Sequence, residues 1–394
     1  RVSYFVIRTG YCFWRFWISN HWVVGLSQNK TSLLQVFSLA GLLALVNLDF
    51  LRPVLQKYYA ESWRWKKFDC IAMLKLTVFR IVKRKDRCAV IRYLRLFPEQ
   101  AILLGFEKVL PSPKSVWHWE KIRLGTAGFR QLFDSTVWNI KILLNGIGVM
   151  LARILCVDST PLVACRNDND QFVAFHPHYK KYMYKTDTAT CGETGIPVDY
   201  GLNASMGYDG HQLPAVFERV TNLLKEIIEI VVGDCHYNTF DNQLFAYQKG
   251  FRLVGGFEEN HELDEKGTTQ YLLEEYQKHR QDGEYIQPPV NFLHVLRILA
   301  RLEPELVGRY FKNQAFLAKE TGEYKKIKGR RSLEESLHSA LKDHQGFEKL
   351  REKGAKNAEL HIAMHHIALL ITSPLSLLQQ GETKNLMRYT HYEP

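Results

Sequence analysis

The sequence predicts an α/β protein, with a mixed sheet flanked by helices in its rear part and a basic helical region in front. Three observations predict this. Apolar residues recur at three- and four-residue spacing through the front of the chain. After about residue 150, short apolar runs alternate with helical stretches, the order of a mixed sheet. The charge divides at the same place. Residues 1–150 carry 23 Lys and Arg against 8 Asp and Glu, a net +15, whereas residues 151–394 carry 29 against 33, a net −4.

At 394 residues, the chain has room for two or three domains, or for one large domain with insertions. Its hydrophobic content of 46% and charged content of 24% are ordinary for a globular protein. A basic front joined to a mildly acidic rear suggests a module that meets a polyanion, and the plainer reading is a solubilising surface. The seven cysteines (12, 70, 88, 156, 165, 191 and 235) include no CxxC pair. That excludes a zinc knuckle and a disulfide framework and suits a reducing cytosol, so all seven read as packing residues.

Residues 1–31 read as an aromatic-rich extension whose start on Arg1 rather than Met suits a truncated, processed or non-native beginning. Phe5, Trp14, Trp17 and Trp22 are interrupted there by Arg8 and Arg15, which is neither a membrane span nor a signal peptide. The apolar run 32–48 is slightly short for a span and reads as a buried helix. No transmembrane segment is expected.

Residues 32–150 read as a basic helical region, with helical spacing over 33–55, 71–82 and 88–96. Lys83, Arg84, Lys85 and Arg87 form a tight cluster, extended by Arg80, Arg92 and Arg95. Such a run is either a solvated helix face or a contact for phosphate backbone. Pro111-Ser112-Pro113 breaks the pattern, and Ser112 or Ser115 caps the next helix. Short helices joined by tight turns in a basic region permit a helix-turn-helix.

The strand candidates are 154–164, 172–175, 182–185 and 197–205. A helix over 213–228 runs into the short strand 230–234, and a helix over 240–249 precedes a strand at 251–254. Residues 256–328 loosen into an insertion, with an acidic patch at Glu258, Glu259, Glu262, Asp264 and Glu265. A second basic cluster leads into a helix over 332–344, and 357–371 forms a last apolar helix. Domain boundaries follow: a core over 151–255 and 329–375, interrupted by 256–328, with a tail over 376–394.

Three acids stand out. Asp158 sits inside an apolar strand, Asp234 ends another, and Glu335 lies on a helix beside basic residues. Buried carboxylates need a partner, and strand ends of α/β sheets gather ligands. Two aspartates and a helical glutamate can hold two divalent cations about 4 Å apart around a phosphodiester. Oxygen ligands favour Mg or Mn over Zn. Arg331, Glu335 and Lys342 give Arg-x3-Glu-x6-Lys, spacings that share one helix face. The plain alternative is an Arg331–Glu335 ion pair at i,i+4.

Val157-Asp158-Ser159-Thr160, Gly233-Asp234-Cys235-His236 and Arg331-x3-Glu335-x6-Lys342 together resemble the three acidic motifs of DDE transposases. They are closest to the insertion-sequence-4-like group, whose signature is Tyr-x2-Arg-x3-Glu-x6-Lys. Residues 175–185, rich in Tyr and Lys, also resemble the second-strand region of these enzymes. The resemblance implies a ribonuclease-H-like catalytic core in which Asp158, Asp234 and Glu335 bind two Mg (or Mn) ions. Water and then a DNA 3′-hydroxyl attack a phosphodiester, excising and inserting a mobile element. Arg331, Lys342 and Lys328 would contact DNA, with Lys83, Arg84, Lys85 and Arg87 of the basic region. The implied partners are double-stranded DNA, as element ends and target, and a second copy in a homodimer. Cytoplasmic, nucleoid-associated work is implied, with no membrane and no nucleotide cofactor.

This sequence departs from the signature at Lys328, where a tyrosine is expected, and Glu334 stands next to Glu335. Every Trp precedes residue 139, so an aromatic that holds a flipped base in hairpin-forming relatives would have to be Tyr271, Tyr276, Tyr285 or Phe292. His361 and His365 have the spacing of a zinc-binding HExxH, but position 362 is Ile, and core packing is the reading preferred. His236 reads as a hydrogen-bonded bystander and Asp209 as a turn residue. No Walker-type loop is present. The rival functions are a ribonuclease-H-like nuclease on structured DNA and a decayed transposase derivative that only binds DNA.

Overall fold

The computed structural model describes residues 38–59, 68–177, 179–204, 207, 209–257, 290–319 and 321–380. The aromatic extension, Cys12, the acidic patch from Glu258 to Glu265, and Tyr271, Tyr276 and Tyr285 lie outside these residues. The chain divides into two compact units. One takes the residues up to Thr136 with 363–379, and the other takes 137–362.

The first unit is helical: α1 (Leu39–Leu45), α2 (Arg52–Lys57), α3 (Cys70–Val82), α4 (Arg87–Leu96), α5 (Pro98–Leu103) and α6 (Pro113–His118). From Cys70 to Ile81, α3 buries every residue except Lys75 and Arg80. A helix apolar on nearly all sides has to be surrounded, and α3 is the centre of this unit. Asp69 starts it by accepting the Ile71 and Ala72 N–H groups at 2.8 and 3.2 Å. Asp86 caps α4 through the Ala89 N–H at 2.7 Å, after the short turn that carries Lys83, Arg84 and Lys85. Arg84 takes a left-handed conformation there, φ 51°. Ser112, rather than Ser115, caps α6.

Two helices contain the divisions between the units: α7 (Gly125–Asn145) at Thr136, and a long C-terminal helix at Ile362.

The second unit is built on a six-stranded mixed sheet. Its strands are β1 (Ile154–Val163), β2 (Ala174–His176), β3 (Lys181–Cys191), β4 (Pro197–Asn203), β5 (Ile230–Val232) and β6 (Arg252–Val254). The order is β2-β3-β1-β5-β6, with β4 also on β3. β1 is antiparallel to β3 and parallel to β5, so it joins the antiparallel and parallel parts. Residues Ile154 to Asp158 are buried without a break, and alternation begins only beyond them. That is the mark of a strand covered on both faces at one end.

Helices α8 (Leu213–Leu224) and α9 (Phe240–Lys249) supply the crossovers. The described part of the expected insertion holds α10 (Val290–Leu302), α11 (Pro304–Ala318) and α12 (Gly322–Lys328). α13 (Ser332–Ser339) and α14 (Ala355–Gln380) follow.

Several expectations need correction. β3 continues to Cys191, well past 185, because Thr186-Asp187-Thr188-Ala189-Thr190 is β-branched although not apolar, and it pairs with β1 along its length. α8 stops at Leu224, where Lys225 turns left-handed at φ 53°, instead of running to 228. α14 passes residue 371 and tolerates Pro374 inside it. Among the cysteines, Cys88 is exposed and Cys165 and Cys235 are half-buried, so these three are not core packing residues. No helix of the described residues is long and apolar enough to cross a membrane.

Candidate active site

The parallel ladder of β1 and β5 closes at Cys156 and Val232. Two residues further along stand Asp158, in the middle of β1, and Asp234, just past the end of β5 where it caps a 3-10 turn, and the two acids are near enough to interact electrostatically. Asp158 is 9% exposed. Burial pushes its carboxyl above the usual range, the Arg331 guanidinium opposes this, and neighbouring Asp234 reinforces it. Asp158 Oδ1 accepts the Ser159 N–H at 2.9 Å, and Oδ2 lies 3.5 Å from an Arg331 terminal nitrogen. Asp234 Oδ1 accepts the His236 N–H at 2.8 Å, and Oδ2 lies 3.0 Å from the His236 Nδ1. Gly233 allows this turn, because a Cβ there would meet Tyr237 at 2.8 Å.

The third acid is where the one-face reading of the sequence breaks down. Arg331 closes a 3-10 turn (Gly329–Arg331), Glu335 sits on α13, and Lys342 lies in a wider π-type turn (Ala340–His344). Spacings of four and seven share a face only on one unbroken α-helix, and here the geometry changes twice. Glu335 is exposed, whereas adjacent Glu334 is fully buried. Glu334 Oε1 accepts the Thr188 hydroxyl at 2.5 Å, and the His338 Nε2 is 2.9 Å from that hydroxyl. Glu334 Oε2 is buried with no hydrogen-bond partner. Thr188 is the cross-strand partner of Asp158, so Glu334 packs on the sheet face that carries Asp158. Burial holds its carboxyl well above the usual range. Lys342 is half-buried and Lys328 is exposed at the end of α12.

Strand alternation puts Ser159, Lys185 and Asp187 on the other face of the sheet. Asp209 is drawn to that face: it accepts the Ser159 hydroxyl at 2.8 Å and pairs with the Lys185 ammonium. Ligand atoms of Asp209, Asp234 and His236 lie within 4.8 Å of one another. The turn reading of Asp209 is therefore incomplete, and nothing local in Gly207-Tyr208-Asp209-Gly210 signals its reach to Asp234. Asp187 is buried with Oδ1 unpartnered, and burial, with Asp209 next, pushes its carboxyl up to about 7. His361 fits the packing reading, its Nε2 2.9 Å from the Phe347 carbonyl and its ring stacked on that phenylalanine.

In the helical unit, the basic cluster splits. Arg87 Nε meets Glu120 Oε2 at 2.7 Å, and Arg80 reaches Oε1 at 2.9 Å. Lys85 lies 4.9 Å over the Tyr93 ring, while Arg84 is exposed. Arg87 is thus committed to an internal acid, and the turn residues Lys83, Arg84 and Lys85 are set apart from it.

The donors around Asp158 and Asp234 suit a hard divalent cation. Asp158, with one guanidinium at 3.5 Å, neighbours Asp234, which with Asp209 and the His236 ring forms a cluster of possible ligand atoms, and oxygen donors prevail. Such a cation would offset the cost of burying Asp158.

The transposase DDE domain family profile matches residues 150–371, more than half of the chain. No curated protein matches the sequence. Among solved structures, the chain is similar to a piggyBac transposase synaptic complex with hairpin DNA, at 11% identity, TM-score 0.41, over 93% of this chain and 80% of that one. It is similar to a Drosophila P element transposase strand transfer complex at 12% identity, TM-score 0.27, over 86% and 89%. For a Mos1 mariner paired end complex with Mn the values are 10%, 0.21, 72% and 88%. All three TM-scores lie below 0.5, so the family match alone carries the identification.

Proposed function

The chain belongs to the transposase DDE domain family, and on that premise we propose that it cuts and rejoins the ends of an insertion sequence of the insertion-sequence-4-like group. The neighbouring of Asp158, on β1, and Asp234, just past β5, on adjacent parallel strands in what we read as a ribonuclease-H-like core, carries this reading. Asp158 and Asp234, with a glutamate from α13, would hold two Mg or Mn ions. Bound there, these would supply a Lewis acid for the attacking and leaving oxygens of a phosphodiester.

The chain's own groups do the rest. Arg331 steadies Asp158 as a carboxylate against its burial. The Asp234 carboxylate is oriented by the His236 N–H. The exposed cations Arg84 and Lys328, with Lys342, Lys83 and Lys85, would meet DNA phosphates at terminal inverted repeats. A homodimer would hold paired ends.

For the third acid, Glu335 is the choice by spacing and Glu334 the choice by burial on the Asp158 face. The packing of Glu334 against Thr188 supports the second.

The experiment is a cleavage and strand-transfer assay on terminal-repeat duplexes with Mg. Asp158→Asn and Asp234→Asn should each lose about 10³-fold or more in rate. Parental cleavage by Asp234→Asn would sink the assignment of that acid. Whichever of Glu334→Gln and Glu335→Gln shares the loss names the third ligand.

A further inference from the structure

A surface away from the acids is built for a different contact. β2 and β3 form an arm whose end is aromatic and basic. Phe175 and Tyr182 are direct cross-strand partners, 47% and 62% exposed, with ring centroids 5.5 Å apart in an edge-on pair. Lys180 and Lys181 beside them are exposed, and Arg166 is exposed where the chain returns past the arm. None of these three cations makes an ion pair among the described residues.

The arm is held rigidly. The Tyr182 carbonyl accepts the Ala164 N–H at 3.0 Å. Two residues on, buried Tyr184 donates its hydroxyl to Asp168 at 2.9 Å, and Asp168 accepts the Gly354 N–H at 3.1 Å. Large aromatic surface left in water on so fixed a backbone is a standing cost without a ligand.

Its place relative to the acids is set by register. Tyr182 and Thr188 have the same parity on β3, and Thr188 pairs with Asp158. Phe175, Tyr182 and Asp158 therefore share one sheet face. Tyr182 and Thr188 are six positions apart on the strand. At roughly 3.3 Å per residue, the aromatic pair lies about 20 Å from the acid, along the strand.

We propose that the Phe175–Tyr182 pair is a stacking platform for unpaired DNA bases about six nucleotides from the cleaved bond, with Lys180, Lys181 and Arg166 on the flanking phosphates. The spacing follows from about 3.4 Å per nucleotide along duplex DNA. Aromatic faces interleaved with cations match an unstacked strand, offering π-surface to bases and charge to backbone. The proposal rests on the transposase reading above and adds a second contact point to it.

The test compares binding of the full chain to a perfectly paired duplex and to the same duplex with a two-base bubble, by fluorescence anisotropy in Ca. The bubble carries 2-aminopurine, whose quenching reports stacking. The parent should prefer the bubble by about tenfold and quench the probe. Phe175→Ser with Tyr182→Ser should abolish both, leaving duplex affinity within about twofold, and Tyr182→Trp should restore quenching. A parent that binds both DNAs equally, or a double variant that keeps its preference, overturns the platform while leaving the transposase reading intact. Failure to bind any DNA overturns both. If the double variant only turns a dimer into a monomer in sedimentation, the patch is a contact between copies and the proposal falls.

Discussion

Glu120 of the helical unit and Asp158 of the sheet unit are both buried acids, but their surroundings differ. Glu120, fully buried, is met by Arg80 and Arg87 at 2.9 and 2.7 Å and by the Thr77 hydroxyl at 3.3 Å. Its two oxygens are covered by groups of this chain. Asp158 has one guanidinium at 3.5 Å and a second carboxylate beside it, with Glu334 buried on the same face. Two cations for one acid make a closed structural joint. One cation among several acids leaves a site that is finished only by something brought in.

Three measurements test this contrast. The largest effect is expected at the closed joint. Glu120→Ala strands two half-buried guanidinium groups and should cost about 3–5 kcal/mol in urea unfolding. A loss no greater than that of an exposed substitution would show that the joint is not structural.

Next comes the open site. Mg that binds the native state alone should add about 2.7 kcal/mol at a hundredfold excess over its dissociation constant, read as a rise in Tm. Asp158→Asn and Asp234→Asn should remove that rise. A melting point indifferent to Mg in the parent would contradict the contrast.

The smallest effect concerns Asp187, an acid on the other sheet face whose Oδ1 is buried without a hydrogen-bond partner. Its native carboxyl keeps a proton up to about 7, while the unfolded one ionises near its ordinary 3.8. Between these values the native state binds more protons, so the parent loses stability as pH rises. Asp187→Asn should therefore be more stable than the parent above pH 7, on the order of 2 kcal/mol, with the gain fading towards pH 4. A gain constant across that range would mean that ionisation of Asp187 is not its source.

Two acids of the candidate site could be singled out in one dimension. Asp158 was legible because its strand is apolar on both sides, and Asp234 because Ile230-Val231-Val232 points straight at it. A serine cap at Ser112 or Ser115 and the helical spacing of α3 were legible for the same reason, since each signal is local. The reach of Asp209 and the placing of Thr188 were not. Asp209 reaches Ser159 across 50 residues, and Thr188 sits in a threonine-rich run with too little apolar character to read as strand. Between Glu334 and Glu335 the sequence favoured the latter by spacing alone, an argument that assumes one continuous α-helix from Arg331 to Lys342, where two changes of helical geometry intervene.

From the residues alone came the mixed α/β class, the singling out of Asp158 and Asp234, and the contrast in charge between a helical front and the rear. Those follow from periodicity, burial and charge, which belong to neighbouring residues. Only the tertiary structure decided which acids stand together, which cations are consumed inside, and that Phe175 and Tyr182 share a face with Asp158. Those depend on strand register and on the exact winding of a helix, where a shift of one residue turns a side chain to the opposite face.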